Sequence, residues 1–404
     1  MLLILALMLT GCAGNTASGD LMAGIKANAV SVETSPEGTA AATDFGIRLL
    51  RECFQDGKNT LISPLSVLSA LAMTANGADG ETLAQMEEVL GMDCASLNSY
   101  LSAYMAGLPE SEHYKLSMAN AIWYKDDPLL TVRDEFLQTN ADYYRAGIFK
   151  VPFDDGAKND INRYVQEHTD GLIQEILDEI PEEAIMYLVN ALAFDAQWNS
   201  VYEEYQIREA EFIREDGTRQ EAELMYSTEY SYLEDELATG VIKYFRGTKY
   251  AFAALLPNEG VSVEEYLASL DGNSLQTLIS EPQSICTYTR IPRFETEYSA
   301  EMSEILKTMG MKDAFGWQVA DFSRMGEYEG KYICIGRVLH KTRLRLDAQG
   351  ARAGAATAVE MVAEGAAEPP QETRTVTLDR PFVYMLLDCE NNLPFFIGTM
   401  MDMQ

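Results

Sequence analysis

Gly350-Ala351-Arg352-Ala353-Gly354-Ala355-Ala356-Thr357-Ala358 is a run of small residues whose reading decides the architecture. Such a run ordinarily makes a flexible surface loop. The charges of the wider segment nevertheless follow a rule. Arg352, Glu360, Glu364 and Glu368 fall on one parity. Ala351, Ala353, Ala355, Thr357, Val359, Met361 and Ala363 fall on the other, which carries no charge. Side chains of an extended strand alternate between faces, so as a strand this segment has one uncharged face and one face bearing every charge. A free linker has no need of that pattern.

Upstream, the first half of the chain reads as mostly helical. Ser63-Pro64 is a helix start, with Ser63 as N-cap and Pro64 in the first turn. Leu65, Leu68, Leu71 and Ala75 then recur on one face, and Gly77 supplies the stop. Residues 82–90 form a second short helix ended by Gly91, and residues 160–177 read as one amphipathic helix carrying Ile161, Val165, Leu172 and Ile176. Strand signals dominate later. Residues 184–194 are apolar enough for a strand buried on both faces. Residues 241–245 and 251–256 flank a hairpin turn, residues 332–346 are rich in strand formers, and residues 382–387 and 395–400 finish the chain as a pair. Helices first and strands after, without a βαβ rhythm, indicate an α+β fold. No linker, repeat or composition break divides residues 39–404, which are taken as one domain.

Net charge excludes one class of partner. With 63 acidic against 30 basic side chains the chain carries −33 at pH 7. It repels nucleic acid and anionic membrane, both of which require a basic patch, and it draws in cationic partners. The apolar run over residues 2–9 is too short to span a bilayer and reads as a signal-peptide core. It leads into Leu9-Thr10-Gly11-Cys12, which resembles the lipobox of bacterial lipoproteins. That resemblance implies a lipid on Cys12, residues 1–12 as signal peptide and lipobox, residues 13–38 as a polar tether, and an extracytoplasmic location; an ordinary cleaved signal is the competing reading. Cys53, Cys94, Cys286, Cys334 and Cys389 then remain, an odd number without CxxC spacing, and they offer no disulfide framework, redox pair or metal site. His113, His168 and His340 are the three histidines, and no HExxH, GxSxG, GxxxxGK[ST] or GxGxxG pattern occurs. The sequence therefore proposes no enzyme and no cofactor.

Between residues 39 and 404 a series of short motifs runs in order. It begins with Asn59-Thr60-Leu61-Ile62-Ser63-Pro64-Leu65-Ser66-Val67, Val189-Asn190-Ala191-Leu192-Ala193-Phe194 with Trp198, and Pro292-Arg293-Phe294. Met309-Gly310-Met311, Ala320-Asp321-Phe322-Ser323 and Val338-Leu339-His340-Lys341 continue it, and Asp379-Arg380-Pro381-Phe382 and Phe395-Phe396-Ile397-Gly398 close it. In order and spacing this series resembles the serpin family.

The resemblance implies helices around three β-sheets with an exposed reactive-centre loop, here about residues 347–378. It also implies a monomer that inhibits serine proteases irreversibly. A protease cuts the loop and forms an acyl-enzyme; the freed loop then enters a sheet as an added strand, this family being a standing example of such insertion. About 15 inserted residues at roughly 3.3 Å each span some 50 Å. Residues 350–358 match the hinge, with Arg352 in place of the usual acid but on the charged face. Ser63, Ser66, Asn190 and His340 match the shutter beneath the opening strands. Trp198 and Arg293 match the breach, where entry begins; the usual acidic partner of Arg293 falls on Ala348, leaving Asp347 as the substitute. Counting forward from Gly350 places the cut between Glu364 and Gly365, and counting back from Pro381 places it near Pro370. Proline excludes cuts at 368 and 369, so Ala363, Ala366 and Ala367 stay as alternatives. Small residues there, with no Lys or Arg, fit elastase-like or subtilisin-like proteases. A non-inhibitory carrier or chaperone of the same family is the alternative function.

Overall fold

The computed structural model describes residues 19–30, 32, 35–108, 111–180, 184–351 and 372–403. Among them nine α-helices surround two six-stranded sheets and one four-stranded sheet, with a further two-stranded ribbon. This is the α+β architecture expected from the sequence.

The helix at Pro64–Ala75 begins as its sequence dictates: the Ser63 side chain accepts the Ser66 N–H, and Pro64 occupies the first turn. All twelve of its residues are buried, so it is a core helix rather than the one-faced helix that its periodicity suggested. Gly91, at φ 77°, ends the helix Gly80–Leu90 in the left-handed conformation that glycine adopts without cost.

The large sheet contains β1 (Tyr114–Lys125), β2 (Gly147–Val151), β3 (Met186–Gln197), β4 (Phe294–Glu301), β5 (Arg337–Asp347) and the two-residue β6 (Gly350–Ala351). Their order is β4-β5-β6-β3-β1-β2, with β5 and β3 also paired directly. Eleven of the twelve residues of β3 are buried, as a strand covered on both faces requires. One face lies on the main core and the central helix. The other lies on a second core, where Tyr187, Val189, Ala191 and Leu339 pack with Ile161 and Val165 of the helix Asp155–His168.

That helix is shorter than its periodicity suggested. It stops at His168, and Asp170 and Gly171 both take positive φ, 52° and 76°. Ile173, Ile176 and Leu177 are still buried, so the apolar pattern continues in a non-helical linker lying over the sheet. The tether reading of residues 13–38 also needs correction where the chain is described. Asp20 bridges to Phe149 of the edge strand β2, Leu21, Met22 and Ile25 pack on the core, and a helix already begins at Pro36.

The second six-stranded sheet holds the expected antiparallel pairs, Ala238–Tyr244 with Tyr250–Pro257 and Phe382–Asp388 with Leu393–Met400. In the four-stranded sheet Thr373–Thr377 runs parallel to Cys286–Pro292. The chain on either side of residues 352–371 is thus held in two different sheets.

Candidate functional site in the large sheet

The strands β5 and β3 part company partway up. They pair in parallel from Arg337 opposite Tyr187 to Thr342 opposite Leu192. At the top Ala351 lies opposite Leu346 of β5 and Ala196 of β3, and Gly350 lies opposite Asp347 and Gln197. Between these two zones, residues 343–345 and 193–195 have no cross-strand partner on their facing sides among the described residues. The sheet is therefore a closed pair below and a slot above, with two residues already seated at its mouth. Leu346 and Ala196, both opposite Ala351, keep the spacing that pairs Thr342 with Leu192. A strand continuing from Ala351 can therefore separate the lower pair without any shift of register.

Gly350 is required where it stands. Its φ is +149°, and a Cβ there would lie 2.0 Å from the Ala196 carbonyl oxygen. Ala351 is fully buried on the face that meets the main core. Arg352, Ala353, Gly354, Ala355, Ala356, Thr357 and Ala358 of the hinge lie outside the described residues, as do Ala363, Glu364, Gly365, Ala366, Ala367 and Cys12.

At the lower end of the slot the four shutter residues come together. His340 is buried and bridges two elements: its Nε2 accepts the Ser63 N–H at 3.2 Å, and its Nδ1–H donates to Asn190 Oδ1 at 2.6 Å. The second bond crosses from β5 to β3, the strands that pair directly below the slot. The hydroxyl of Ser66 and the Nδ2 group of Asn190 are buried with no hydrogen-bond partner among the described residues.

Burial depresses the His340 pKa from 6.5 to about 3, which agrees with a neutral ring that accepts at one nitrogen and donates at the other. Because the folded pKa is lowered, unfolded chains bind the extra proton. The associated stability is complete above about pH 6.5 and is lost as pH falls from there toward 3, at about 1.4 kcal/mol per pH unit. Urea midpoints measured at pH 7.5 and pH 5 should fall less for His340→Gln than for the parent. An identical fall in both proteins would show that His340 is not the titrating group.

The mouth of the slot is held by Trp198. Its Nε1–H donates to the Asp347 carbonyl at 2.8 Å, its backbone N–H donates to the Gln349 carbonyl at 2.8 Å, and its ring stacks on Phe245 at 4.4 Å. The Tyr202 N–H donates to the Ala348 carbonyl at 2.9 Å. Three successive carbonyls of the turn from β5 into β6 are thus fixed.

Arg293 does not take part in the way expected. Its guanidinium meets Glu223 at 3.1 Å and its N–H donates to the Glu223 carbonyl, which ties it to the neighbouring sheet. Asp347 instead accepts the Gln349 N–H and lies 3.4 Å from Arg345. A cation that sequence reading missed sits closer to the mouth. Lys243, 2% exposed, pairs with Glu229 at 2.6 Å and lies over the rings of Tyr202 (4.6 Å) and Trp198 (5.4 Å). Its signal was a single lysine in an apolar strand, and a buried lysine needs a partner.

Family and structural relatives agree with this geometry. The family model described as "Serpin (serine protease inhibitor)" matches residues 40–403. An uncharacterized serpin-like protein of Thermococcus kodakarensis is 27% identical over 369 residues, covering 90% of this chain and 85% of its own. Neuroserpin of Gallus gallus is 25% identical, covering 91% of each. Among solved structures, the thermophilic serpin tengpin in its native state superposes with a TM-score of 0.90 at 43% identity, covering 95% of this chain and 99% of tengpin. Its latent state gives a lower TM-score of 0.82 over 93% of this chain and 100% of its own, at 42% identity. With the match spanning nearly the whole length, the chain belongs to the serpin family.

Proposed function

We propose that this serpin is an irreversible, suicide-substrate inhibitor of serine proteases that traps the acyl-enzyme by inserting its cut loop into the slot between β5 and β3. The observation carrying this reading is the pair Gly350–Ala351, already in register with both slot walls. Continued antiparallel in that register, Ala353 falls opposite Leu344 and Phe194, and Ala355 falls opposite Thr342 and Leu192. All four wall residues are buried, so the uncharged parity of the segment meets the main core. Thr357 falls opposite His340 and Asn190. Its hydroxyl can donate and accept there, which replaces the crossing bond that insertion breaks.

The target preference follows from the residues around the cut. Glu364 and Gly365 flank the favoured bond, with Ala363, Ala366 and Ala367 as alternatives. Small side chains fit shallow pockets, and the −33 charge favours cationic proteases of the elastase or subtilisin type. On mixing with a panel of serine proteases, an elastase-like or subtilisin-like member should give a complex that survives boiling in detergent. It should also release a C-terminal fragment beginning between Ala363 and Glu368. A fragment starting outside that window, or inhibition of trypsin with none of elastase, would contradict the assignment. Release of every protease in active form would favour the carrier or chaperone alternative.

The lipobox reading places the protein outside the cytoplasm, held at a membrane by a lipid on Cys12. Cys12→Ser should abolish metabolic lipid labelling and move the protein out of the membrane fraction; unchanged labelling would refute the anchor.

A further inference from the structure

We infer that Lys243 is a positioning residue for strand entry: it holds Tyr202, and through Tyr202 the turn that seats Gly350 and Ala351 at the mouth of the slot. The inference rests on the insertion reading above. Tyr202 lies in a stretch without regular structure, between β3 and the short helix Glu204–Gln206, so side-chain contacts must fix it. Its ring face meets the Lys243 ammonium at 4.6 Å, its hydroxyl meets that of Ser227 at 3.2 Å, and its N–H donates to the Ala348 carbonyl at 2.9 Å. Trp198 has support of its own. Its ring stacks on Phe245, and the N–H of the next residue, Asn199, donates to the Tyr244 carbonyl. Of the two residues that grip the turn, Tyr202 is the one that depends on the cation.

Packing alone does not call for a lysine here. Lys243 follows the buried Val241 and Ile242 in its strand, and an aliphatic side chain would fill the place without desolvating two charges. What the charge adds is direction. Glu229 Oε1 accepts from the Lys243 ammonium at 2.6 Å and from the Ser227 hydroxyl at 2.7 Å. With that proton committed, Ser227 accepts from the Tyr202 hydroxyl. One carboxylate oxygen therefore fixes both groups that hold Tyr202, the cation at its face and the hydroxyl at its tip. Glu229 lies opposite Thr287, and Thr287 lies opposite Arg374 of the strand Thr373–Thr377. The network thus ties the turn before residue 352 to the sheet that holds the chain after residue 371. While the turn is held, Gly350 and Ala351 present one register to both walls. Once it is loose, an entering strand must find that register while hydrolysis of the acyl-enzyme proceeds.

Two variants of the full chain separate positioning from folding. Lys243→Met combined with Glu229→Gln removes both charges and leaves no unpaired ion; Lys243→Arg keeps a cation over the ring. Hydrogen exchange of the intact chain reads the grip directly. In the double variant the Tyr202 amide should exchange about tenfold faster than in the parent, with the amides of β3 unchanged. Against a protease that the parent traps, the double variant should consume about three to ten times more inhibitor per protease trapped. Its melting temperature should stay within about 4 °C of the parent, and Lys243→Arg should keep the parent's stoichiometry. An unchanged Tyr202 amide would overturn the grip. A lowered melting temperature with unchanged stoichiometry would make Lys243 structural only and overturn its role in entry. Should the parent trap no protease, the insertion reading itself would fall, while the exchange result still decides whether Lys243 holds the turn.

Discussion

Ala353→Arg and Ala355→Glu are each expected to convert the protein from an inhibitor into a substrate. On the proposed insertion in register with Ala351, position 353 would fall between Leu344 and Phe194, and position 355 between Thr342 and Leu192, all four of which are buried. Neither site offers a counter-charge, and burying an unpaired charge costs several kcal/mol. Each 1.4 kcal/mol added to the insertion barrier slows that step about tenfold. Hydrolysis of the acyl-enzyme proceeds at its own rate, so the number of inhibitor molecules consumed per protease trapped should rise by about tenfold or more. The control is Arg352→Glu, one residue away on the opposite face. On the proposed insertion it would fall at the level of Arg345 and Asp195, one charge of each sign. Its stoichiometry should match the parent. Titration of residual protease activity against added inhibitor reads both numbers. Equal effects of inward and outward charges would refute the face assignment.

Much of this was legible in the chain because it depends on local chemistry. Ser63-Pro64 wrote its own helix start, and the apolar run at residues 184–194 wrote a strand covered on both faces. The parity of charges after Gly350 predicted which way each side chain must face, and Ala351 lies on the predicted core side. Other features were hidden because they are tertiary. Nothing near Arg293 in sequence announced Glu223, which reaches it across sheets. Lys243 and Glu229 lie fourteen residues apart on different strands and meet only when Trp198 and Tyr202 close over them. The linker after His168 kept a helix-like apolar spacing, but Asp170 and Gly171 broke the helix with positive φ.

The shutter shows how a site can be recognised before its function is understood. Ser63, Ser66, Asn190 and His340 are spread over 277 positions between Ser63 and His340, yet one imidazole joins three of the elements that carry them. A bond of 2.6 Å from His340 to Asn190 holds β5 to β3, and the same bond must break if a strand is to pass.

Insertion of the cut loop is the central claim, and melting of the loop-cleaved chain tests it most directly. A strand entering between β5 and β3 exchanges the edges of the slot and one parallel pairing for two antiparallel ones. It would gain roughly ten backbone hydrogen bonds, each worth about 1 kcal/mol net, and would bury the uncharged face of the segment. At about 2–4 °C per kcal/mol, cutting near Glu364 without separating the fragments should raise the melting temperature by an amount on the order of 20 °C. A cleaved chain that melts within a degree or two of the intact one would contradict insertion and, with it, the inhibitory mechanism.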